Sequence, residues 1–400
     1  MCPGKRGKLG VSGYDTRLYA LMLAATNFVL SWTVTQPVFS LYVTGLGASV
    51  VQVGTLFSLM SFIPLVIRIP MSVIAERIGR LRMLLLGLFI SSTSSLLYAN
   101  ARSFTQVVLI TVYLSIANGG FNQTAMSTVS DAAPANKQGD AMGRYLTFLG
   151  FGMLLGPALC SYLVNVMNYS QLFYLSALFP AVGILLIVFL APKVSRRAAS
   201  AEGASEVGTV ESLRMIFRNR NVMLLSYCRA SFSAAQAIFI ALFSIYAVQQ
   251  LGISESTVAL LFTVRGFSNT LTRFPAGRIS DSIGRRIPML AAYGLLAVSF
   301  VIIALYESVI MMGVALALYG LCWGTRAVSE WAFLTDHVEP EIKTISISYL
   351  SSVFGFGSTI GSLAAGFLTT LFPYSTVFLL GAALNLGAIP AVLSMKRVER

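Results

Sequence analysis

Charge is scarce in this sequence. Only 11% of its 400 residues are charged, whereas 56% are hydrophobic and the mean hydropathy is +0.77. Soluble globular chains carry roughly 25% charged residues, so this chain lacks the charge needed to cover a water-exposed surface of its size. The composition excludes a soluble protein and indicates that a lipid bilayer is its main solvent.

Histidine and cysteine are scarce as well. The single histidine is His337, and the four cysteines are Cys2, Cys160, Cys228 and Cys322. They form no cluster with the spacing of a metal site, and three of the cysteines lie in apolar runs. We therefore expect no metal, no cofactor and no disulfide framework. The sequence also has no GxxxxGK[ST] phosphate loop, which leaves direct ATP hydrolysis unsupported.

Long apolar runs account for nearly the whole chain. A membrane-spanning helix needs about 20 mostly apolar residues, and twelve runs predict an all-α integral membrane protein with spans at 17–44, 50–75, 82–100, 104–130, 141–167, 171–191, 222–250, 255–280, 287–306, 309–334, 345–371 and 375–395. The predicted organisation is a cytoplasmic tail at 1–16, a six-helix half at 17–191, a cytoplasmic linker at 192–221, a second six-helix half at 222–395 and a cytoplasmic tail at 396–400. In the linker, Leu213, Ile216 and Phe217 give the last turns an apolar face that suits the membrane surface.

The basic residues are distributed unevenly between the two sides of the membrane. The chain has 28 lysines and arginines against 15 acidic residues, a net charge of +13. With the N-terminus in the cytoplasm, Arg102 is the only basic residue in an outside loop. The positive-inside rule therefore predicts that both termini are cytoplasmic. Because the positive charge is a topology signal, we expect no nucleic-acid partner; a monomer in the plasma membrane is the default expectation.

The second half repeats the first at a constant offset of 205 residues. Aligned elements are Ile-Gly-Arg at 78–80 and 283–285, Asp131 and Asp336, and the glycine motif at 150–156 and 355–361. Chance does not preserve one offset over this length. Two like halves of six spans are typical of transporters that work by alternating access, with a substrate site at mid-membrane.

Two loops carry a family motif. The stretch 72–80, SVIAERIGR, resembles the motif GxLADRxGR[RK] of the major facilitator superfamily, and 277–286, GRISDSIGRR, is its second copy. The first copy departs from the motif at Ser72, Glu76 and Leu81. The resemblance implies the twelve-helix fold of that family and a charge network at the cytoplasmic gate, formed by Glu76, Arg80 and Asp131 and repeated by Asp281, Arg285 and Asp336. The alternative is that these side chains reach the lipid headgroups and only mark topology.

A glycine motif in span five gives a second resemblance. The segment 143–157 has the pattern Gly-x8-Gly-x3-Gly-Pro, which is similar to GxxxxxxxxGxxxGPxxGG in the family's antiporter branches. Cys160 and Ser161 stand where the last two glycines would be. We expect the small residues to permit close helix approach and the proline to bend its helix. The residues concerned are Gly152, Gly156, Pro157, Gly357 and Gly361.

Ionisable side chains within spans indicate a structural or functional role, because an unpaired charge in hydrocarbon costs several kcal/mol. Those that are present in only one half are candidates for substrate binding or coupling. They are Arg229, Arg265, Arg326 and Glu330, which align with Ala24, Met60, Phe121 and Ala125 of the first half. Arg265 lies near the predicted midplane, where a guanidinium suits an anionic group on a substrate. Arg229 lies closer to the cytoplasmic end, so its expected role is to reach the headgroups.

Two interpretations of Arg326 and Glu330 stay open. Their i, i+4 spacing permits a static pair on one helix face, or Glu330 exchanges a proton and thereby releases and captures Arg326. Among uncharged residues, Asn27 and Asn122 are candidates for lining the substrate cavity, although buried amides more often tie helices together.

The leading hypothesis is a secondary transporter that exports a small organic molecule in exchange for protons. No acidic residue lies deep in spans one to six, so proton coupling depends on Glu330 or on the gate residues Asp131 and Asp336. Arg265 and Arg326 motivate an alternative, an organic-anion carrier that works in uptake or as a uniporter. A sensor or scaffold without transport is disfavoured by the short loops. An enzyme is not expected, because the spans show no nucleophile with a base.

Overall fold

The computed structural model describes residues 16–132, 138–190 and 209–396. These residues form thirteen α-helices: α1 (Thr16–Gly45), α2 (Val50–Ile78), α3 (Arg80–Asn100), α4 (Phe104–Ala132), α5 (Gln138–Leu163), α6 (Tyr169–Leu190), α7 (Thr209–Arg218), α8 (Arg220–Ile245), α9 (Glu255–Ile283), α10 (Arg286–Leu305), α11 (Val309–His337), α12 (Lys343–Leu368) and α13 (Tyr374–Ser394). A π-helical turn at Tyr246–Gln250 extends α8, and a 3-10 turn at Pro340–Ile342 precedes α12. The predicted all-α architecture is confirmed. Most of both predicted tails and linker residues 192–208 lie outside the described residues.

Eleven helices in the described part of the chain are long and apolar enough to cross a membrane. The remaining predicted span, 255–280, corresponds to α9, whose 29 residues are sufficient in length. Its composition is less apolar than that of the other spans, because it carries Arg265, Arg273 and Arg278. The span that departs most from a membrane composition is therefore also one that holds a candidate binding residue.

The helix in the linker, α7, uses part of its apolar face for packing. Ile216 is buried, whereas Phe217 is 57% exposed and its ring meets that of Tyr349 in α12 edge-on at 5.5 Å. Part of the apolar face predicted to rest on the membrane surface is therefore buried within the protein, at Ile216, whereas Phe217 contacts α12 and stays largely exposed.

The helix bounds reproduce the repeat seen in the sequence. The first and last residues of α2, α4 and α5 precede those of α9, α11 and α12 by 205 positions. The four described glycines with positive φ also form two such pairs, Gly47 (85°) with Gly252 (66°) and Gly79 (97°) with Gly284 (88°). Since a positive φ favours glycine, each pair marks the same turn in both halves.

The chain divides into two compact units. The first contains α1 up to Phe39 and the chain from Val66 to the end of α6, and the second contains Ser40–Leu65 and the chain from α7 onward. Ser40–Leu65 belongs to the second unit because the start of α2 packs on α12, where a methyl group added at Gly54 would lie 2.7 Å from the Cα of Gly366. The compact units thus differ by this segment from the predicted halves, which place it in 17–191.

Glycines in α5 permit close approach of α1 in the first unit. A methyl group at Gly156 would overlap Thr33 of α1, and one at Gly152 would lie 3.2 Å from the carbonyl oxygen of Thr26. The Thr33 hydroxyl donates to the Gly152 carbonyl at 2.8 Å. Gly152 and Gly156 are one turn apart, so the close contact between α1 and α5 covers about one turn, and α5 continues through Pro157.

The same arrangement recurs between α8 and α12 in the second unit. A methyl group at Gly357 would lie 2.6 Å from the carbonyl oxygen of Ala230, and one at Gly361 would lie 2.5 Å from the Cα of Ala234. Backbone occupies the space where a side chain would stand, so these glycines are needed for this packing.

Candidate functional site

One carboxylate is fully buried in the second unit. Glu330, on α11, has 0% exposure, and it is the only buried acidic side chain among the described residues. The Arg229 guanidinium donates to Glu330 Oε2 at 2.9 Å, and that of Arg326 donates to the same oxygen. The hydroxyl of Tyr293 donates to Oε1. We call these four residues the Glu330 cluster; its donors come from α8, α10 and α11.

The Glu330 cluster has a formal net charge of +1, because two guanidinium groups share one carboxylate. Aromatic faces provide further compensation: the Arg326 guanidinium lies 3.6 Å from the ring centroid of Phe232, and that of Arg229 lies 4.4 Å from that of Trp331. Removing an ion from water costs several kcal/mol, and a desolvated cation–π contact contributes about 2 kcal/mol. The Nε atoms of both arginines have no hydrogen-bond partner among the described residues, so the compensation is incomplete and the cluster is sensitive to the loss of any charge.

The structure brings three predicted residues together and adds one. Arg326 and Glu330 pair along α11, as their spacing permits. For Arg229 the expected headgroup role is wrong, since its side chain is 9% exposed and bound to Glu330. Its partner lies on another helix and was not apparent from spacing. Tyr293 was missed, although its counterpart in the first half is Leu88 and the same comparison of halves would have identified it.

Arg265 forms a second buried positive site. It is 5% exposed, and its guanidinium lies within 4.7–5.5 Å of the ring centroids of Phe239, Phe262, Tyr319 and Trp323. It makes no ion pair with a carboxylate in the described ranges, and its Nε and Nη1 atoms have no hydrogen-bond partner. Aromatic faces stabilise the charge in part, but they leave the planar donor edge of the guanidinium available to an anion.

Close packing of α9 on α11 holds Arg265 in this position. A methyl group at Gly320 would overlap the backbone carbonyl of Arg265, and one at Gly324 would lie 2.8 Å from that of Asn269. Asn269 Oδ1 accepts a hydrogen bond from Arg273 at 3.2 Å, while its amide nitrogen has no partner in the part of the chain that the structure describes. Buried donors without acceptors therefore follow one another along α9.

The two predicted lining amides bond locally. The side chain of Asn27 donates to the carbonyl of Leu23 at 2.9 Å, one turn earlier in α1. Asn122 is exposed, and its amide lies 3.5 Å from the carbonyl oxygen of Asn118. Each of these amides is therefore within hydrogen-bond distance of a backbone carbonyl of its own helix.

The first copy of the predicted gate contains one ion pair. Arg80 at the start of α3 pairs with Asp131 near the end of α4. Glu76 is exposed and makes no ion pair with another described residue. The family motif has an aspartate at this position, and the glutamate side chain is one methylene longer. The residue that departs from the motif is thus the one that does not join the ion pair of Arg80 and Asp131.

The second copy of the predicted gate contains three paired residues. Arg285 pairs with Asp281, and its Nε donates to Asp336 Oδ2 at 3.0 Å. Partial burial disfavours the charge on Arg285, but hydrogen bonds to the two carboxylates raise its pKa above the ordinary value. The pairs join the loop between α9 and α10 to the end of α11.

A model of the Major Facilitator Superfamily matches residues 21–249 and 225–400. The chain belongs to this superfamily. This member is 24% identical over 396 residues to the multidrug resistance protein MdtG of Dickeya zeae, which covers 96% of the chain and 95% of that protein. It is 22% identical over 314 residues to the multi-drug resistance efflux pump PmrA of Streptococcus pneumoniae, covering 76% of each.

Structural comparison agrees with the sequence match. The crystal structure of the nucleoside transporter NupG is similar with a TM-score of 0.77 at 14% identity, covering 95% of this chain and 99% of that one. At this identity the likeness shows the fold alone. Membership of the superfamily confirms the predicted fold and makes the protein a multi-span membrane carrier of small molecules rather than an enzyme.

Proposed function

We propose that this superfamily member exports a small organic molecule by alternating access, in exchange for protons. The observation that carries the proposal is the Glu330 cluster, in which one buried carboxylate binds donors from three helices. The relatives named for multidrug resistance support the direction of transport. We place the protein in the plasma membrane as a monomer with both termini in the cytoplasm, on the distribution of its basic residues.

Protonation of Glu330 gives the cluster its coupling role. A neutral carboxyl group holds two guanidinium groups less firmly, so Arg229 and Arg326 lose the counter-charge that ties α8 to α11. The other titratable groups nearby are Tyr293 on α10 and Cys228 on α8. A proton therefore favours one arrangement of these helices as any ligand does. A substrate that favours the other arrangement is exchanged for protons.

The gate residues have a separate role in this proposal. The ion pairs of Arg80 with Asp131 and of Arg285 with Asp336 hold the cytoplasmic ends of neighbouring helices together in each half. Because these residues are partly exposed, they affect the rate of opening more than the affinity for substrate.

Flux measurements in proteoliposomes test the exchange. Vesicles containing the purified protein and the internal pH dye pyranine receive external ethidium, a cationic drug probe, under an imposed pH gradient. We expect ethidium and protons to move in opposite directions. Ethidium movement that is insensitive to the gradient, or parallel to the proton flux, would contradict the proposal. Glu307→Gln, which neutralises an exposed carboxylate in the same unit, is the matched control and should leave the exchange intact.

The variant Glu330→Gln should abolish proton exchange, but it leaves two buried guanidinium groups without a counter-charge and endangers folding. A fourfold replacement avoids this problem by installing the first-half counterparts, Arg229→Ala, Tyr293→Leu, Arg326→Phe and Glu330→Ala. It removes all charge from the site in a backbone that accommodates the same residues in the other half. We expect this variant to fold and to lose proton coupling.

The guanidinium of Arg265, which pairs with no carboxylate among the described residues, favours a second candidate function, that of an organic-anion carrier. In that case a proton on Glu330 would add positive charge to the region, so proton and anion would move in the same direction. Uptake of benzoate driven by an inward proton gradient, lost in Arg265→Met, would identify this carrier. Unchanged benzoate transport by Arg265→Met would exclude Arg265 as the anion site.

A further inference from the structure

The first unit contains a cavity of about 30 Å³ between α1, α3, α4 and α6. This volume holds about two water molecules. Its polar walls are Ser31, Thr35, Ser91, Ser95 and Asn118. None of the described side chains that line it is charged, which distinguishes it from the Glu330 cluster and from Arg265.

Small side chains produce this cavity in a backbone that elsewhere holds large ones. The counterparts of Ser91 and Ser95 in the second half are Leu296 and Phe300, which are 1% and 0% exposed. At the equivalent positions, α10 of the second half therefore fills the space with apolar side chains where α3 of the first half leaves a cavity. A cavity in place of buried apolar side chains weakens packing, so the first half has less packing here than its fold allows.

The polar walls retain unused hydrogen-bonding capacity. The hydroxyl oxygens of Ser31 and Ser95 lie 3.3 Å apart, and Thr35 donates to a backbone carbonyl in its own helix. The side chains of Ser91 and Asn118 make no hydrogen bond to another described residue. Together they offer hydroxyl groups and an amide, which both donate and accept.

Aromatic rings and the side chain of Leu114 form the remaining walls. Phe28, Tyr98 and Phe173 are buried, and Trp32 is partly exposed. The Tyr98 hydroxyl is bonded to Thr111 at 2.8 Å, and its ring packs against those of Phe39 and Phe173, so Tyr98 contributes an apolar wall. Flat apolar walls next to the serine and threonine hydroxyl groups fit a planar group with a polar edge.

We propose that this cavity binds a planar, uncharged, hydrogen-bonding group of the transported molecule, such as a carboxamide on an aromatic ring. The three heavy atoms of a carboxamide fit the volume, and Ser91 and Asn118 provide an acceptor and a donor for it. The attached ring rests against Trp32, Leu114 and Asn118, the partly exposed side chains of the lining. That the bound group belongs to the transported molecule rests on the proposed function, whereas binding of such a group by the cavity does not.

Trp32 provides a direct measurement of binding. In a Trp323→Phe/Trp331→Phe variant it is the remaining tryptophan, since the chain has three. We expect benzamide to change its fluorescence in a saturable manner. Benzoate has the same shape but carries a charge that finds no counter-charge in the cavity, so it should bind at least about 10-fold more weakly.

Filling the cavity should abolish binding without harming the fold. Ser95→Phe and Ser91→Leu install the counterparts from the second half, and we expect each to weaken benzamide binding at least about 10-fold, because the space for the carboxamide is lost. Ser91→Leu adds fewer atoms than the carboxamide would occupy, so we expect it also to raise the unfolding temperature. Thr93→Val, on the same helix but outside the cavity lining, installs its counterpart Val298 and serves as the matched control. It should leave the titration unchanged.

The outcomes separate this proposal from the proposed function. Absence of a benzamide effect on Trp32, or an unchanged titration in Ser95→Phe, overturns the cavity as a binding site while proton exchange stands. Proton exchange that fails in vesicles, with benzamide binding intact and lost in Ser95→Phe, contradicts the function alone. Benzamide should also inhibit ethidium transport, and inhibition that persists in Ser95→Phe would contradict a role in binding the transported molecule.

Discussion

The two halves share one backbone pattern and bury opposite kinds of side chain at the same positions. The Glu330 cluster lies in the second half, and the corresponding positions in the first half are Ala24, Leu88, Phe121 and Ala125, all in its hydrophobic core. There the ring of Phe121 stacks on that of Phe28 at 4.0 Å. Since this backbone folds around an apolar core in one half, the charges in the other half are not needed for the fold and point to function.

The neutral cavity shows the converse difference. The first half has Ser91, Ser95 and Asn118 where the second has Leu296, Phe300 and Trp323. Trp323 lies 5.5 Å from the guanidinium of Arg265, measured to its ring centroid. One half thus combines aromatic rings with hydroxyl groups and the other combines them with a guanidinium, so we expect the halves to recognise different chemical groups.

Glu330→Ala gives the largest expected effect. It leaves Arg229 and Arg326 buried without a counter-charge, which should lower the free energy of unfolding by about 3–5 kcal/mol. The fourfold replacement by first-half residues should recover most of that loss. Thermal unfolding of both purified variants measures the difference. A Glu330→Ala protein as stable as wild type would show that the arginines do not depend on this carboxylate.

Gly361→Leu tests whether close packing of α8 on α12 is as strict as the structure indicates. Its side chain would meet the backbone of Ala234, and overpacking of this kind costs about 3 kcal/mol. Gly143→Leu is the control, since nothing lies within 4 Å of a Cβ at that glycine. Equal unfolding temperatures for the two variants would contradict the assignment of Gly361 to a tight helix contact.

Arg265→Met replaces a buried, unpaired guanidinium by the first-half residue. Without ligand, we expect the free energy of unfolding to rise by about 1–2 kcal/mol, because the desolvated charge is removed. Arg77→Met, which removes an exposed arginine near the end of α2, is the control for loss of an arginine as such and should leave the free energy of unfolding unchanged. Destabilisation by Arg265→Met alone would show that the aromatic rings satisfy the guanidinium and that it has a structural role.

The gate pairs should give the smallest effects on stability. Arg80 and Asp131 have 30% and 52% exposed side chains, and a pair of this kind contributes about 0.2–1 kcal/mol. Arg80→Gln should therefore change the unfolding temperature little, and less at high salt. Arg285→Gln breaks two pairs and should have the larger effect. A larger drop in unfolding temperature for Arg80→Gln than for Arg285→Gln would contradict the finding that the second copy of the motif forms more ion pairs than the first.

Features that depend on neighbouring residues in one helix were predictable from the sequence. The spacing of Arg326 and Glu330 permitted their pair, and the 205-residue offset found in the sequence recurs in the helix bounds and in the positive-φ glycines. Contacts between helices were not predictable in this way. Arg229 and Tyr293 reach Glu330 only because α8, α10 and α11 pack together. Asn27 and Asn122 were chosen for polarity, but an amide can bond to its own helix, as both do.

Infrared difference spectroscopy of the purified protein tests the central claim most directly, namely that Glu330 exchanges a proton when substrate binds. The spectrum is recorded on addition of ethidium, at a pH where the pyranine assay detects exchange. We expect the carbonyl-stretch band of a protonated carboxyl group to decrease, and the change to be absent in the fourfold replacement. An unchanged carboxyl band in the wild-type protein, or the same change in both proteins, would contradict the account.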